Sequence, residues 1–243
     1  MTRTPDAFLG GKIRLYQLED GYRAGMDAAV LIAALNLQPG QTAMEFGCGA
    51  GAALLGAAAL YDQVQFIGIE LDTKAAALAQ ENVALNDMTG RVRVIEGDAL
   101  GYHDARELDA VFFNPPFFDD PTALRAPKAG KTPAWMSDAG LVAWIDTGLR
   151  RLKSGGVITL IQRADRLDDI LAALKGRAGA VTVLPIHVRS DETAKRVLVQ
   201  ATKTGKAPLQ IRPPLVLHQA GETGFTAEAD ALFRGELRLE FRR

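Results

Sequence analysis

The stretch Thr42-Ala43-Met44-Glu45-Phe46-Gly47-Cys48-Gly49-Ala50-Gly51 decides the fold. Thr42 to Phe46 reads as a buried strand. Three glycines in the next five residues turn the chain into an Ala/Leu-rich helix reaching about Leu60. Glycine permits positive φ at such a turn and lets backbone approach a ligand closely, while the helix start offers free N–H groups to a carboxylate or phosphate. Strand, glycine turn and helix form the first unit of a parallel α/β sheet, which binds its ligands at the carboxyl ends of the strands.

The run Gly47 to Ala52 also fits the loose dinucleotide pattern with alanine in the last place, a weak motif alone. Glu45, just ahead of it, favours another ligand. A carboxylate there repels a pyrophosphate and attracts an ammonium or a sulfonium, and S-adenosylmethionine carries both. The next strand, Gln65 to Glu70, ends in an acid about twenty residues after the turn, where a ribose diol is held. Asp72 either shares that role or caps a helix from Thr73 to Asn86. A third strand, Arg91 to Ile95, leads into Gly97-Asp98-Ala99. Asp98 either accepts from an adenine amino group or only shapes the turn. Glu45, Gly47, Gly49, Gly51, Glu70, Leu71, Asp98 and Ala99 are therefore the candidate cofactor residues of these turns, and Asn114, at the next strand tip, is a candidate on both the cofactor and the substrate side.

A fourth strand, Asp109 to Phe113, stops at Asn114-Pro115-Pro116-Phe117. Two prolines lack the N–H groups a strand needs, so the chain leaves the sheet there. The Asn114 amide oxygen and the Pro115 carbonyl are placed to accept from one NH₂ group. Phe117 offers a stacking face, with Phe118 beside it, and Pro116 stiffens the turn. This is the chemistry of a clamp for a planar amine. A methyl on sulfonium is already activated, so positioning and desolvation are the main requirements.

Upstream, Lys12 to Arg23 alternate around Asp20-Gly21, which reads as a hairpin covering one end of the domain. Tyr22, Arg23 and Asp27 precede an apolar helix, Ala28 to Leu35. Two readings of Asp27 stand, helix capping and a cofactor-facing role; capping does not account for Tyr22 or Arg23. Downstream, Pro121 to Trp135 is polar and carries Arg125, Lys128 and Lys131 with no acid. It is either an ordinary solvated loop or a phosphate clamp beside the amine clamp. A helix over Asp138 to Leu152, ended by Lys153-Ser154-Gly155-Gly156, leads to a fifth strand, Val157 to Ile161, and a helix from Arg163 to Leu174. Val181–Val188 and Arg196–Thr202 are joined too tightly for a parallel crossover, so they pair antiparallel. Lys195 and Arg196 in that connection face RNA or are simply loop charges. In the tail, a short strand follows Pro213-Pro214, Thr226 caps a helix to Arg234, and Glu236 to Phe241 alternates like an edge strand.

These elements give an α/β fold in which five parallel strands are completed by a C-terminal antiparallel hairpin, with helices on both faces. Residues 1–243 are read as a single domain: an N-terminal hairpin extension over 1–25, a cofactor-binding and catalytic core over 26–205, and a strand-helix-strand extension over 206–243. The 243 residues, 48% hydrophobic, suffice for one such core. A net charge of −1 excludes a uniformly basic nucleic-acid coat but not a clustered basic surface. The single cysteine, Cys48, excludes an intrachain disulfide, and His103, His187 and His218 show no metal-ligand spacing. There is no signal-peptide core and no bilayer-length apolar run, so a cytoplasmic protein with no membrane or metal partner is expected, a monomer by default.

In order and spacing, Glu45 to Gly51, Glu70, Asp98 and Asn114-Pro115-Pro116-Phe117 resemble the motifs of class I S-adenosylmethionine-dependent amino-methyltransferases over roughly residues 20 to 205. Asp6-Ala7-Phe8-Leu9-Gly10-Gly11, Gly21-Tyr22-Arg23 before Met26-Asp27, Lys195 to Val199 and Pro214 to His218 are similar to the bacterial tRNA(Val) adenine-N(6)-methyltransferase family. That resemblance implies a Rossmann-like seven-stranded methyltransferase sheet. It also implies S-adenosyl-L-methionine as cofactor, tRNA as partner, and methylation of an adenine beside the anticodon. A protein glutamine N(5)-methyltransferase, acting on a release factor or ribosomal protein, would use the same clamp on a carboxamide. DNA adenine methylation calls for a larger recognition region. A nicotinamide oxidoreductase would need a hydride partner such as a Tyr/Lys pair, and none is read here. A cofactor-binding module without activity leaves the intact clamp unexplained.

Overall fold

A computed structural model describes residues 4–18, 25–103, 107–115, 138–219, 221 and 223–241. Its centre is a mostly parallel sheet built from β3 (Thr42–Phe46), β4 (Gln65–Glu70), β5 (Val92–Glu96), β6 (Leu108–Phe113), β7 (Leu152–Arg163), β8 (Ala178–His187) and β9 (Arg196–Lys203). They lie in the order β8-β9-β7-β6-β3-β4-β5, with β9 antiparallel to both neighbours. This is the expected seven-stranded arrangement. Two dipeptide strands, β10 (Gln210–Ile211) and β11 (Leu215–Val216), add parallel to β8 and bring the sheet to nine strands.

Both faces of the sheet are covered, which is why its central strands read as continuous apolar runs rather than alternations. On one face, α1 (Met26–Ala33), α2 (Ala52–Leu60), α3 (Thr73–Leu85) and α6 (Ala227–Phe233) pack on Ala43, Phe66, Ala110, Phe112 and Leu198. On the other, α4 (Asp138–Arg151) and α5 (Leu167–Leu174) pack on Met44, Phe46, Ile67, Val111 and Phe113. Gly68 lets the first face close: a Cβ there would lie 2.6 Å from Leu54 and 2.8 Å from Cys48 Sγ.

Four local expectations are corrected. The N-terminal hairpin is β1 (Asp6–Phe8) with β2 (Ile13–Leu15), turning at Gly10-Gly11, whose φ values are +66° and +83°. Ile13 to Leu15 thus pairs with the residues before it; the Asp20-Gly21 turn lies outside the described residues. Asp27 does not cap α1. The N-cap is Gly25, without a side-chain bond, and Asp27 instead faces Arg196 at 3.6 Å. The helix α4 ends at Arg151, just before the stop expected at Lys153 to Gly156, but the fifth strand begins at Leu152 rather than Val157, so those four residues lie within β7. Finally, Glu236 to Phe241 is not a strand. The alternation is real, but it packs Leu237, Leu239 and Phe241 on the first face, and Leu239 N–H bonds the Ala33 carbonyl of α1.

Thr226 caps α6 by accepting from Ala229 N–H at 3.1 Å, and Gly235 ends that segment at φ +67°. The sheet's two outer edges differ in kind. β10 and β11 are separated by Arg212-Pro213-Pro214, while β5 carries Arg93 and Glu96, both exposed. Among the described residues no helix is long and apolar enough to cross a membrane, and no cluster of metal-ligating side chains is present.

Candidate active site

The carboxyl ends of β3, β4, β5 and β6 lie side by side, bringing the glycine turn, Glu70, Asp98 and Asn114 to one edge. The turn is held from two sides. Gly47 and Cys48 N–H groups both donate to the Ile69 carbonyl, at 2.8 and 3.2 Å, and Gly51 N–H closes on Cys48 O at 2.8 Å. All three glycines have positive φ, +63°, +54° and +91°. Gly47 is also needed for space, because a Cβ would sit 2.8 Å from the Trp144 ring. Trp144 meets Phe46 and Phe113 edge-on at 6.2 and 5.5 Å, so the tips of β3 and β6 share one aromatic support.

Glu70 ends β4. One carboxylate oxygen accepts from Gly49 N–H at 2.7 Å and the other from Asp72 N–H at 2.9 Å. The acid and the glycine turn are therefore locked together, and each carboxylate oxygen retains a lone pair directed elsewhere. Leu71, the next residue, is 51% exposed, an apolar side chain suited to lie under a flat ring. Asp72 caps α3 by accepting from Ala75 N–H at 2.8 Å, which settles its two readings in favour of capping. Asp98 accepts from Leu100 N–H at 2.9 Å, the turn-forming bond; Ala99 behind it is buried.

Glu45 is the unusual group. Its side chain is 4% exposed, and Oε2 has no hydrogen-bond partner among the described residues. Burial raises its carboxyl well above the ordinary Glu range; a bond from the Leu54 N–H at the start of α2 opposes this, and the nearby Glu70 charge adds to it. A buried carboxyl with one oxygen left without a partner is best ionised beside a cation, so the residues present fit the ammonium or sulfonium of S-adenosylmethionine. Cys48 is buried beside it, and burial with the Glu45 and Glu70 charges raises its thiol well above its usual range. It therefore stays a protonated packing group rather than a nucleophile.

A stability test follows from Glu45. Folding raises its pKa, so its contribution is intact below the ordinary Glu range and is lost as pH rises through the raised value. Glu45→Gln should raise the melting temperature of the ligand-free protein by roughly 2–4 °C near pH 7.5. The gain should vanish near about pH 4, where the native carboxyl is neutral as well. The same variant should bind the cofactor more weakly. A melting curve unchanged at both pH values would show that the carboxylate is already compensated.

Asn114 is half-buried and Pro115 buried at the tip of β6. Arg196 lies at the same edge, at the start of β9, paired with Asp27; burial raises the Asp27 carboxyl and the Arg196 charge opposes it. Lys195 is exposed. Tyr22, Arg23, Pro116, Phe117, Phe118, Arg125, Lys128 and Lys131 lie outside the described residues. At the opposite, amino edge, a cleft lined by Leu35, Gln41, Asp109, Lys153 and Gln200 is distant from these tips. Its polar groups are mutually satisfied: Asp109 with Lys153 and Thr42 N–H, Gln200 with Ala34 O and Thr159.

A residue missed by sequence reading is Asn82 on α3. It is fully buried and donates to the carbonyl of Ala50 in the glycine turn at 2.9 Å. Its partners are far away in the chain, so neither periodicity nor a local motif marks it.

The sheet order and these strand tips define the Rossmann-like methyltransferase fold. Residues 23–130 match the family model of the methyltransferase small domain, and the chain is a methyltransferase of the S-adenosylmethionine-dependent class. A protein of Bacteroides thetaiotaomicron named tRNA1(Val) (adenine(37)-N6)-methyltransferase is 28% identical over 183 residues, covering 74% of this chain and 76% of its own length. One of the same name from Aliivibrio salmonicida is 30% identical over 100 residues, 41% of this chain and 43% of its own. A solved structure from Agrobacterium tumefaciens, described as a predicted O-methyltransferase, superposes with a TM-score of 0.73 at 27% identity. That superposition covers 88% of this chain and 98% of the other.

Proposed function

We infer that this protein methylates the exocyclic amine of an adenine in RNA, most specifically in tRNA. The observation that carries the reading is Asn114-Pro115 at the tip of β6, one strand from the glycine turn on β3. An adenine amine is a poor nucleophile because its lone pair is delocalised into the ring. The Asn114 amide oxygen and the Pro115 carbonyl accept its two hydrogens, which returns electron density to nitrogen and fixes the attack direction. A hydroxyl has only one hydrogen to give, so this pair of acceptors suits nitrogen rather than oxygen. Bound S-adenosylmethionine supplies an electrophilic methyl. Glu45 faces its cationic end, Glu70 its ribose, Leu71 with Asp98 and Ala99 its adenine, and Tyr22, Arg23 and Asp27 complete the cofactor side. Phe117 stacks on the target base, and Pro116 holds the turn.

The two relatives named for tRNA adenine methylation support the choice of RNA over a protein glutamine, which the same clamp would accept. Arg125, Lys128 and Lys131, with Lys195 and Arg196, supply phosphate contacts. Neutralising Arg125, Lys128 and Lys131 together should weaken RNA binding and reduce the slope of log affinity against log salt by about 2; an unchanged slope makes that loop a bystander.

The decisive experiment is transfer of labelled methyl from S-adenosylmethionine into total RNA and total protein from a strain lacking the enzyme. Label in small RNA that digests to N(6)-methyladenosine is expected. Label confined to one protein band would instead make this a glutamine methyltransferase.

A further inference from the structure

The N-terminal segment and the cofactor turn are fastened to each other through one helix. Asn82 Oδ1 accepts from Tyr16 N–H at 2.8 Å, and its Nδ2 donates to Tyr16 O and to Ala50 O, both at 2.9 Å. One turn later, at the C-cap of α3, Asn86 Oδ1 accepts from Arg14 N–H at 2.9 Å, and its Nδ2 donates to Arg14 O at 2.7 Å and to Asn82 O at 2.8 Å. The spacing explains why this works. Four helical residues advance about 6 Å, and two extended residues advance about 6.7 Å. Two side-chain amides at i and i+4 therefore meet the alternate backbone groups of a strand. β2 lies against β1 in the register Phe8–Ile13, Ala7–Arg14 and Asp6–Leu15, while the backbone N–H and C=O groups of Arg14 and Tyr16 bond the two asparagines. The helix thus stands in for a third strand beside the hairpin.

The inner of the two asparagines does more than hold the hairpin. The Ala50 carbonyl shares a peptide plane with Gly51 N–H, and that N–H closes the turn on Cys48 O. Anchoring the carbonyl fixes this plane, the last link between the Gly49 N–H held by Glu70 and the start of α2. We propose that Asn82 is a positioning residue for the cofactor: it sets the glycine turn in its binding geometry and couples that geometry to docking of residues 14–16. Asn86, which bonds the hairpin and the end of α3 but not the turn, serves stability rather than the cofactor. The proposal rests on the reading of the glycine turn as the S-adenosylmethionine site.

Asn82→Leu keeps a similar volume but can neither donate to Ala50 O and Tyr16 O nor accept from Tyr16 N–H; Asn82→Ala removes the same three bonds together with the volume. The test is calorimetry with S-adenosylhomocysteine at a temperature well below each variant's melting point, together with steady-state kinetics. Both Asn82 variants should raise the cofactor Kd and KM by about tenfold, with kcat at saturating cofactor nearly unchanged. Asn86→Ala should lower the melting temperature and leave the cofactor Kd in place. Two results overturn the proposal: an unchanged cofactor Kd in Asn82→Leu, or equal Kd shifts in the Asn82 and Asn86 variants, which would reduce the pair to fold stability. Absence of binding by the unaltered protein would instead remove the cofactor reading itself.

Discussion

Replacing Asn114 by alanine is expected to lower methyl transfer by about 10²–10³-fold while leaving cofactor affinity nearly unchanged. The side chain stands at the end of β6, and the proposed mechanism uses its oxygen only on the substrate nitrogen. Losing one of two acceptors leaves the amine planar and free to rotate away from the attack line, so the cost falls on the chemical step. Single-turnover rates at saturating cofactor, paired with calorimetry, separate that step from binding. Asn114→Asp is a useful companion, because it keeps an acceptor and adds a charge. Near-normal turnover in the alanine variant would remove the amine clamp from the mechanism.

The second large effect belongs to Glu70. Glu70→Ala should weaken cofactor binding by about 10²-fold, for two reasons that act together. The ribose loses its acceptor, and Gly49 N–H loses the partner that holds the turn, now 2.7 Å away. Glu70→Gln retains one acceptor and should fall between the two, which distinguishes loss of a contact from collapse of the turn. Calorimetry with S-adenosylhomocysteine reads both; an affinity unchanged in the alanine variant would show that the ribose is held elsewhere.

Much of this was legible because the decisive signals are local. A glycine run between a strand pattern and an Ala/Leu pattern placed β3 to the residue and α2 closely, and Asn114-Pro115-Pro116 marked the end of β6 by proline chemistry alone. The errors came where a local signal had two physical meanings. Lys153 to Gly156 follows a helix that does end, at Arg151, yet Gly155 at φ +78° lies inside a strand that starts at Leu152 rather than at the expected Val157. Period-two alternation over Glu236 to Phe241 marks an extended chain with one side buried, and that chain packs on helices rather than pairing in a ladder. Asp27 carried a capping signal, but Arg196 lies 169 positions away and offers its carboxylate a charge instead. Asn82 was illegible for the same reason: an asparagine inside a helix looks merely tolerated until its partners in the strand and the turn are known.

The ends of the sheet have a consequence for how copies of this protein meet. A sheet edge is a template, and a neighbouring chain can extend it if it finds several consecutive free N–H and C=O groups. At one margin β10 and β11 present two residues each, broken by Arg212-Pro213-Pro214. A docking strand would find no run long enough to register on. At the other margin Arg93 and Glu96 place charges along β5, so an incoming strand must strip water from them before it gains a bond. Among the described residues, neither margin invites growth from chain to chain through the sheet.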